Sequence, residues 1–230
     1  MRILIVYRIT SYNSENIYDL PRTFKPSLDS VLRLKKQKNW KVDIFMFNYH
    51  KYKPDDPLKF SWIYESMPTF LDNARKVALL GNYDAMLFVE PDIILPQDAL
   101  IRFFSGCPAW DIMAGIYPER PSKIGNWTNR GGQPPNGWLV CMPWNQNPEA
   151  ERAIAQRRLF KLTGCAGFGC IMLKRKALKL VQFPSRDTAD NGPDFGFYQD
   201  ARKRNLNILC NPNIKCKHIE SDGTIIEGPK

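Results

Sequence analysis

The sequence predicts an α/β fold, a three-layer sandwich around a central, mostly parallel sheet. Three observations carry that expectation. Apolar runs alternate with amphipathic stretches from Ile3 to Ile116, and strand–helix alternation calls for parallel strands joined by right-handed crossovers. One run, Ala85–Val89, is apolar throughout, as suits a strand buried on both faces, and it stops at two carboxylates, Glu90 and Asp92, on either side of Pro91. Farther along, Gly164, Gly167 and Gly169 stand immediately before another apolar run.

Ile3–Tyr7 reads as the first buried strand, and the polar stretch 8–22 as a loop. Leu28, Val31, Leu32 and Leu34 recur at helical spacing in 27–38, where Lys35, Lys36 and Lys38 suit a helix C-terminus. A strand follows at 42–47 and a loop rich in Lys, Pro and Asp at 49–60. The apolar face of Phe70, Leu71, Ala74, Val77, Ala78 and Leu80 predicts a helix opening at Pro68. The acid-tipped strand comes next, then a helix over 96–104 and a strand over 111–116. The pattern changes after Tyr117, where about twenty residues rich in Pro, Gly and Asn form a connection long enough to be a binding loop. A short strand at 138–142, a helix at 148–158, the glycine-led strand ending near Arg175, a helix at 194–204 and a strand at 206–210 complete the chain. Residues 221–230 read as a flexible tail. The expected organisation is one domain over 1–220.

Composition narrows the classes. No apolar run approaches the ~18 residues of a membrane span, and the N-terminus turns polar too soon for a signal peptide, so a cytoplasmic protein without integral membrane contact is expected. Six cysteines include no C-x-x-C pair, which argues for buried reduced thiols over zinc; the Asn126-Trp127-Thr128 sequon is then incidental. The net charge is +10, and residues 151–230 hold 15 basic against 8 acidic side chains. Such an excess suits a polyanion, an anionic membrane surface or a phosphorylated substrate, or simply a basic soluble protein.

The two acids at the strand end are the first candidate site. Pro91 fixes its own φ and biases Glu90 toward extended backbone, so the carboxylates leave the strand in a restricted geometry. The C-terminal ends of strands are where open α/β sheets bind ligands; an ordinary acidic turn is the alternative.

Taken in chain order, Leu71–Lys76 (LDNARK), Glu90-Pro91-Asp92, Ala114–Pro121 (AGIYPERP), Gly164–Gly169, Asp194 in GPDFGF and His218 in CKHIE resemble the family-2-like nucleotide-sugar glycosyltransferases of the GT-A (Rossmann-like) fold. The resemblance spans about residues 2–220 and implies a nucleotide-binding half at about 1–120 and an acceptor half at about 121–220. In that family a strand ends in D-x-D, a later strand leads into a G-G-x-Y-P-like turn, a G-x-G segment precedes a strand, an E-D-x-x-F helix follows, and a late histidine closes the site. The resemblance implies a divalent cation, Mn²⁺ or Mg²⁺, held by Asp92, Glu90 and His218, and a nucleotide-sugar donor, expected to be a UDP-sugar. Glu90 matches the acid nearer ribose or metal. Arg8, Thr10 and Tyr12 lie where relatives hold base and ribose. Asn73, Arg75 and Lys76 match the helix beside the nucleotide, where a cation meets the diphosphate, or else form a solvated helix face. Asp194 matches the general base of inverting members, and an N-cap is its plainer reading.

Gly164, Gly167 and Gly169 would let backbone approach sugar or acceptor, or form a turn before the strand. Trp127, Trp138 and Trp144 would stack on a sugar or base, or pack in the core. The sequence departs from the pattern twice: Glu90 replaces the first Asp of D-x-D, and Pro193 replaces the Glu before Asp194. For the acceptor, the chain is compatible with the phage DNA-modifying, TET-associated members, which glucosylate hydroxymethylated pyrimidines. A base in double-stranded DNA would then have to be flipped out. The phosphate-neutralising pool is Arg157, Arg158, Lys161, Lys174, Arg175, Lys176, Lys179, Arg202, Lys203 and Arg204. A surface or lipid-linked glycan is the competing acceptor, and a non-catalytic nucleic-acid or sugar-phosphate binding module on a degenerate transferase fold is the reading from another class.

Overall fold

A computed structural model describes residues 1–10, 24–49, 61–107, 109–118, 140–142, 148–183, 192–220 and 223–228. The strands are β1 (Arg2–Thr10), β2 (Lys41–Tyr49), β3 (Ala85–Val89), β4 (Ile93–Ile94), β5 (Ile112–Ile116), β6 (Val140–Met142), β7 (Phe160–Lys161), β8 (Cys165–Ala166), β9 (Cys170–Lys174), β10 (Ile208–Lys215), β11 (Lys217–Ile219) and β12 (Ile225–Ile226). The helices are α1 (Phe24–Leu32), α2 (Ser61–Leu80), α3 (Ala99–Phe104), α4 (Pro148–Ala155), α5 (Arg175–Leu180) and α6 (Gly192–Lys203).

Seven strands form the central sheet in the order β2-β1-β3-β9-β5-β10-β7. The pairs β1–β2, β1–β3 and β5–β10 are parallel, whereas β9 runs antiparallel to both β3 and β5, and β7 antiparallel to β10. The α/β class expected from the sequence is therefore the observed one, and the sheet is mixed. Period-2 alternation sends side chains to two separate cores. Leu4, Val6, Met86, Phe88, Ile112 and Ala114 pack with α2, α4, α5 and α6, while Ile3, Ile5, Leu87, Val89, Met113 and Met172 pack with α1 and α3. The result is the three-layer sandwich. All five residues of β3 are buried, as its unbroken apolar run requires.

Several element bounds differ from expectation for identifiable reasons. α1 ends at Leu32 because the following chain is captured elsewhere: the Lys35 N–H donates to the Gln97 carbonyl, 2.7 Å. α2 begins at Ser61, leaving Pro68 inside the helix rather than at its start. The last long strand continues past Cys210 to Lys215, and its ladder with β5 becomes irregular across Asn211-Pro212-Asn213, where Pro212 has no N–H to give. The expected flexible tail contributes a strand: β12 pairs with β11, matching His218 to Ile226, with Gly223 at φ +90° in the connecting turn. The long connection after Pro118, and with it Trp127, Trp138 and Trp144, lies outside the described residues, as does Tyr12.

Candidate active site

The Glu90-Pro91-Asp92 turn is tied down on every side. The Glu90 N–H donates to the Gly169 carbonyl, 3.1 Å, and the Glu90 carbonyl accepts the Ile93 N–H, 3.1 Å, closing a tight turn. Ser27, fully buried in α1, donates its hydroxyl to the Ile93 carbonyl at 2.6 Å and approaches that of Glu90 at 3.5 Å. The Tyr7 hydroxyl, from β1, reaches the Pro91 carbonyl at 3.4 Å, and the Ile219 N–H reaches that of Asp92 at 2.8 Å. Burial, slightly offset by Ser27 and reinforced by Asp92, pushes the Tyr7 phenol up to about 12, so it remains a donor.

A second, three-stranded sheet, β12-β11-β4, brings in His218. β4 directly follows the acid turn, and its antiparallel pairing with β11 sets His218 opposite Ile93. The imidazole Nδ1 lies 2.8 Å from the Pro118 carbonyl, which can only accept, so Nδ1 carries the proton. Nε2 then faces Asp92 Oδ2 at 3.6 Å. With side chains only 10% and 24% exposed, the two atoms present their lone pairs toward the same point, an arrangement suited to a shared cation. The Tyr117 ring meets the imidazole edge-on, with centroids 5.6 Å apart.

The remaining members come from β1, β5 and α6. Burial first, and the Asp92 carboxylate second, push Glu90 up to about 7; Arg8 and His218 pull it back, and Asp194 adds to the rise. Asp92, Arg8, His218 and Asp194 thus all lie within electrostatic reach of Glu90, although they run from position 8 to position 218. Arg8 is 8% exposed near the end of β1. Asp194 stands in the first turn of α6, where its Oδ1 accepts the Phe195 N–H at 3.0 Å. That bond satisfies a helix-terminal donor, so the N-terminal role and membership of the cluster coexist. α6 is fixed here by an aromatic knot: Phe197 stacks on Phe183 at 5.0 Å and 7°, and both pack against Phe168, which abuts Phe88 of β3. Tyr117 is held well above the usual phenol value by burial and then by Glu90.

Other expected residues go elsewhere. Asn73, Arg75 and Lys76 line a different cleft, of about 300 Å³, with Pro68, Thr69, Asp72, Gln182 and Phe183. Arg75 is engaged by Asp72 and by the Leu178 carbonyl, and Lys76 by Asp72 at 2.9 Å. Thr10 ends β1. Gly167 is partly exposed just before β9, and Gly164 is buried with its carbonyl accepting from Arg202. Gly169 has a distinct reason to be glycine: an added Cβ would lie 2.6 Å from Tyr117 Cζ. Among the described residues no three His, Cys, Asp or Glu side chains gather into a metal cage, so Glu90 shares the charged cluster without completing one around Asp92 and His218.

The basic pool divides as well. Lys174 sits over the Trp110 ring at 4.2 Å, Arg175 caps the end of α2 through the Leu79 and Tyr83 carbonyls, Lys176 pairs with Asp111, and Arg204 with Asp200. Arg157, Arg158, Lys161, Lys179 and Lys203 are exposed. Sequence reasoning passed over Tyr7, Ser27 and Tyr117 as site residues. The one signal available was that both tyrosines end apolar strand runs, where strand C-termini face ligands.

No family model matches the sequence, and no curated protein does. Among solved structures, A197 from STIV is similar with a TM-score of 0.55 and 15% identity, over 100% of this chain and 95% of that one. That likeness shows a shared fold. At lower scores the chain is similar to a mutant Drosophila β1,4-galactosyltransferase 7 in complex with manganese, UDP-Gal and xylobiose (0.48, 12% identity, 100% and 72% covered). It is also similar to CMP:2-keto-3-deoxy-manno-octonic acid synthetase complexed with CTP (0.47, 13% identity, 91% and 89% covered).

Proposed function

We propose that the protein is a metal-dependent glycosyltransferase of the GT-A kind, moving a sugar from a nucleotide sugar, a UDP-sugar in the first instance, to an acceptor hydroxyl. The observation that carries this reading is the pair Asp92 Oδ2 and His218 Nε2, 3.6 Å apart within a cluster that also holds Glu90, Asp194 and Arg8. A carboxylate and an oriented imidazole fit Mn²⁺ or Mg²⁺, which complete their shells with substrate phosphates and water rather than an all-protein cage. When bound, the cation would neutralise charge developing on the leaving diphosphate.

The chain's own residues supply the rest. Asp92 and His218 hold the cation, and Arg8 adds a fixed positive charge for a diphosphate. Asp194 takes the acceptor proton as the acceptor oxygen bonds to the anomeric carbon; the bond to the diphosphate breaks and its electron pair leaves with the nucleotide. Attack from the face opposite the leaving group gives inversion. Glu90, raised to about 7 by burial and by Asp92, would be drawn toward its ionised form by a cation in the site.

The test is turnover of a panel of UDP-sugars with Mn²⁺, with Asp92→Asn as control. Metal-dependent hydrolysis or transfer that falls by two or more orders of magnitude in the variant is expected. Absence of both turnover and nucleotide binding in the wild type overturns the enzyme reading in favour of a binding module.

For the acceptor, the exposed cations Arg157, Arg158, Lys161, Lys179 and Lys203 support DNA carrying hydroxymethylated pyrimidines. Transfer to hydroxymethylated but not unmodified duplex is the expected result, in the cytoplasm of an infected host cell. Absence of transfer to either moves the proposal to a surface or lipid-linked glycan.

A further inference from the structure

We infer that Tyr117 is a positioning residue for the cation site, one buried side chain that keys both of its halves; the inference rests on the cation site proposed above. Tyr117 follows β5 and is 2% exposed. Its phenol oxygen accepts the Gly169 N–H at 3.2 Å, and the carbonyl of that same Gly169 accepts the Glu90 N–H at 3.1 Å. Gly169 is therefore a rigid link of one residue between the phenol and the acid turn. On its other side the Tyr117 ring edge packs on the His218 imidazole, and the carbonyl of the next residue, Pro118, takes the His218 Nδ1 proton at 2.8 Å.

The two segments that face each other across the cation site, Glu90–Asp92 and His218, are far apart in sequence and reach this geometry from different strands. Tyr117-Pro118 is a single dipeptide in contact with both. The fit is tight, since even one methyl group at 169 would collide with the ring. The phenol oxygen accepts from Gly169 and still carries its own proton, which burial holds in place at ordinary pH against the opposing pull of that hydrogen bond. Phenylalanine at 117 would fill the same space and preserve the edge contact with His218, but would leave the buried Gly169 N–H without its acceptor. The structural and positioning roles thereby separate in one substitution.

The experiment titrates Mn²⁺ into wild type, Tyr117→Phe and Asp92→Asn, reading free metal by electron paramagnetic resonance. In parallel, amide hydrogen exchange at Gly169 is followed in the metal-free proteins. Tyr117→Phe is expected to unfold as cooperatively as wild type, to exchange the Gly169 amide faster, and to bind Mn²⁺ about tenfold more weakly, the usual consequence of losing an outer-shell partner. Unchanged Mn²⁺ affinity in Tyr117→Phe, with or without faster exchange, overturns the role of Tyr117 alone. Wild-type protein that takes up no Mn²⁺, or uptake undiminished in Asp92→Asn, overturns the cation site itself and this inference with it.

Discussion

At Glu90 two physical effects compound, burial and the neighbouring Asp92 carboxylate, and the acid's pKa rises from 4.5 to about 7. The metal-free folded protein then holds a proton that the unfolded chain releases. Between those two values the folded state binds more protons, so stability falls as pH rises through the window and the loss is complete above about 7. Each pH unit inside it is worth at most about 1.4 kcal/mol. Glu90→Gln should flatten this part of the profile: between about pH 5 and pH 8, thermal unfolding of the variant should shift less than that of wild type. Equal shifts would remove Glu90 as the source.

Gly169 gives a second prediction at this scale. Gly169→Ala drives a Cβ into the Tyr117 ring and should cost about 1–3 kcal/mol in denaturant unfolding. No loss would mean that the ring moves freely. That Glu90, Asp92, Asp194 and His218 are candidates was legible in the sequence from carboxylates and a histidine in a fixed order, and the structure brings them into one charged cluster around Glu90. Tyr117 was not legible, because its importance lies in what it touches.

Elements behave differently. The core strands were legible as short unbroken apolar runs and the apolar faces of α1 and α2 from period 3.6, both local properties of the chain. β4, β7, β11 and β12 were not, being only two or three residues long; β4, β7 and β11 also depend on partners far away in sequence. Yet β4 and β11 are the elements that bring Asp92 and His218 together. Removing residues 223–230 would strip β12 from β11 and delete the Lys217–Glu227 ion pair, leaving the His218 strand paired on one side only. The expected outcome is a loss of about 1 kcal/mol, of the order of one or two backbone hydrogen bonds, together with weaker Mn²⁺ binding. A truncated protein with wild-type metal affinity would show that β4 alone suffices to hold the histidine.

For the whole molecule, the excess of positive charge is real but only part of it is available. Lys174, Arg175, Lys176, Arg202 and Arg204 hold the protein's own carbonyls, carboxylates and rings, Lys176 and Arg204 doing so at the surface, whereas Arg157, Arg158, Lys161, Lys179 and Lys203 are exposed with no such pairing among the described residues. If these meet a nucleic-acid backbone, the dependence of log affinity on log salt should shallow by about one for each contact removed. Arg158→Ala and Lys161→Ala together should lower the slope by about two, whereas Arg175→Ala should leave it unchanged and cost stability instead. Slopes indifferent to Arg158 and Lys161 would take the acceptor surface away from β7. Among the described residues no helix is long and apolar enough to cross a membrane.

The α/β class and the buried strand that ends in two acids were readable from the chain, because each is written in neighbouring residues and their hydrophobic pattern. Tertiary structure alone decided that Asn73, Arg75 and Lys76 face a separate cleft, that β9 enters the sheet antiparallel, and that Asp92 meets His218 at 3.6 Å. The physical reason is that strand order and register are settled by pairing between segments from about forty to more than a hundred and twenty residues apart, whose competing arrangements leave the same local pattern in the chain.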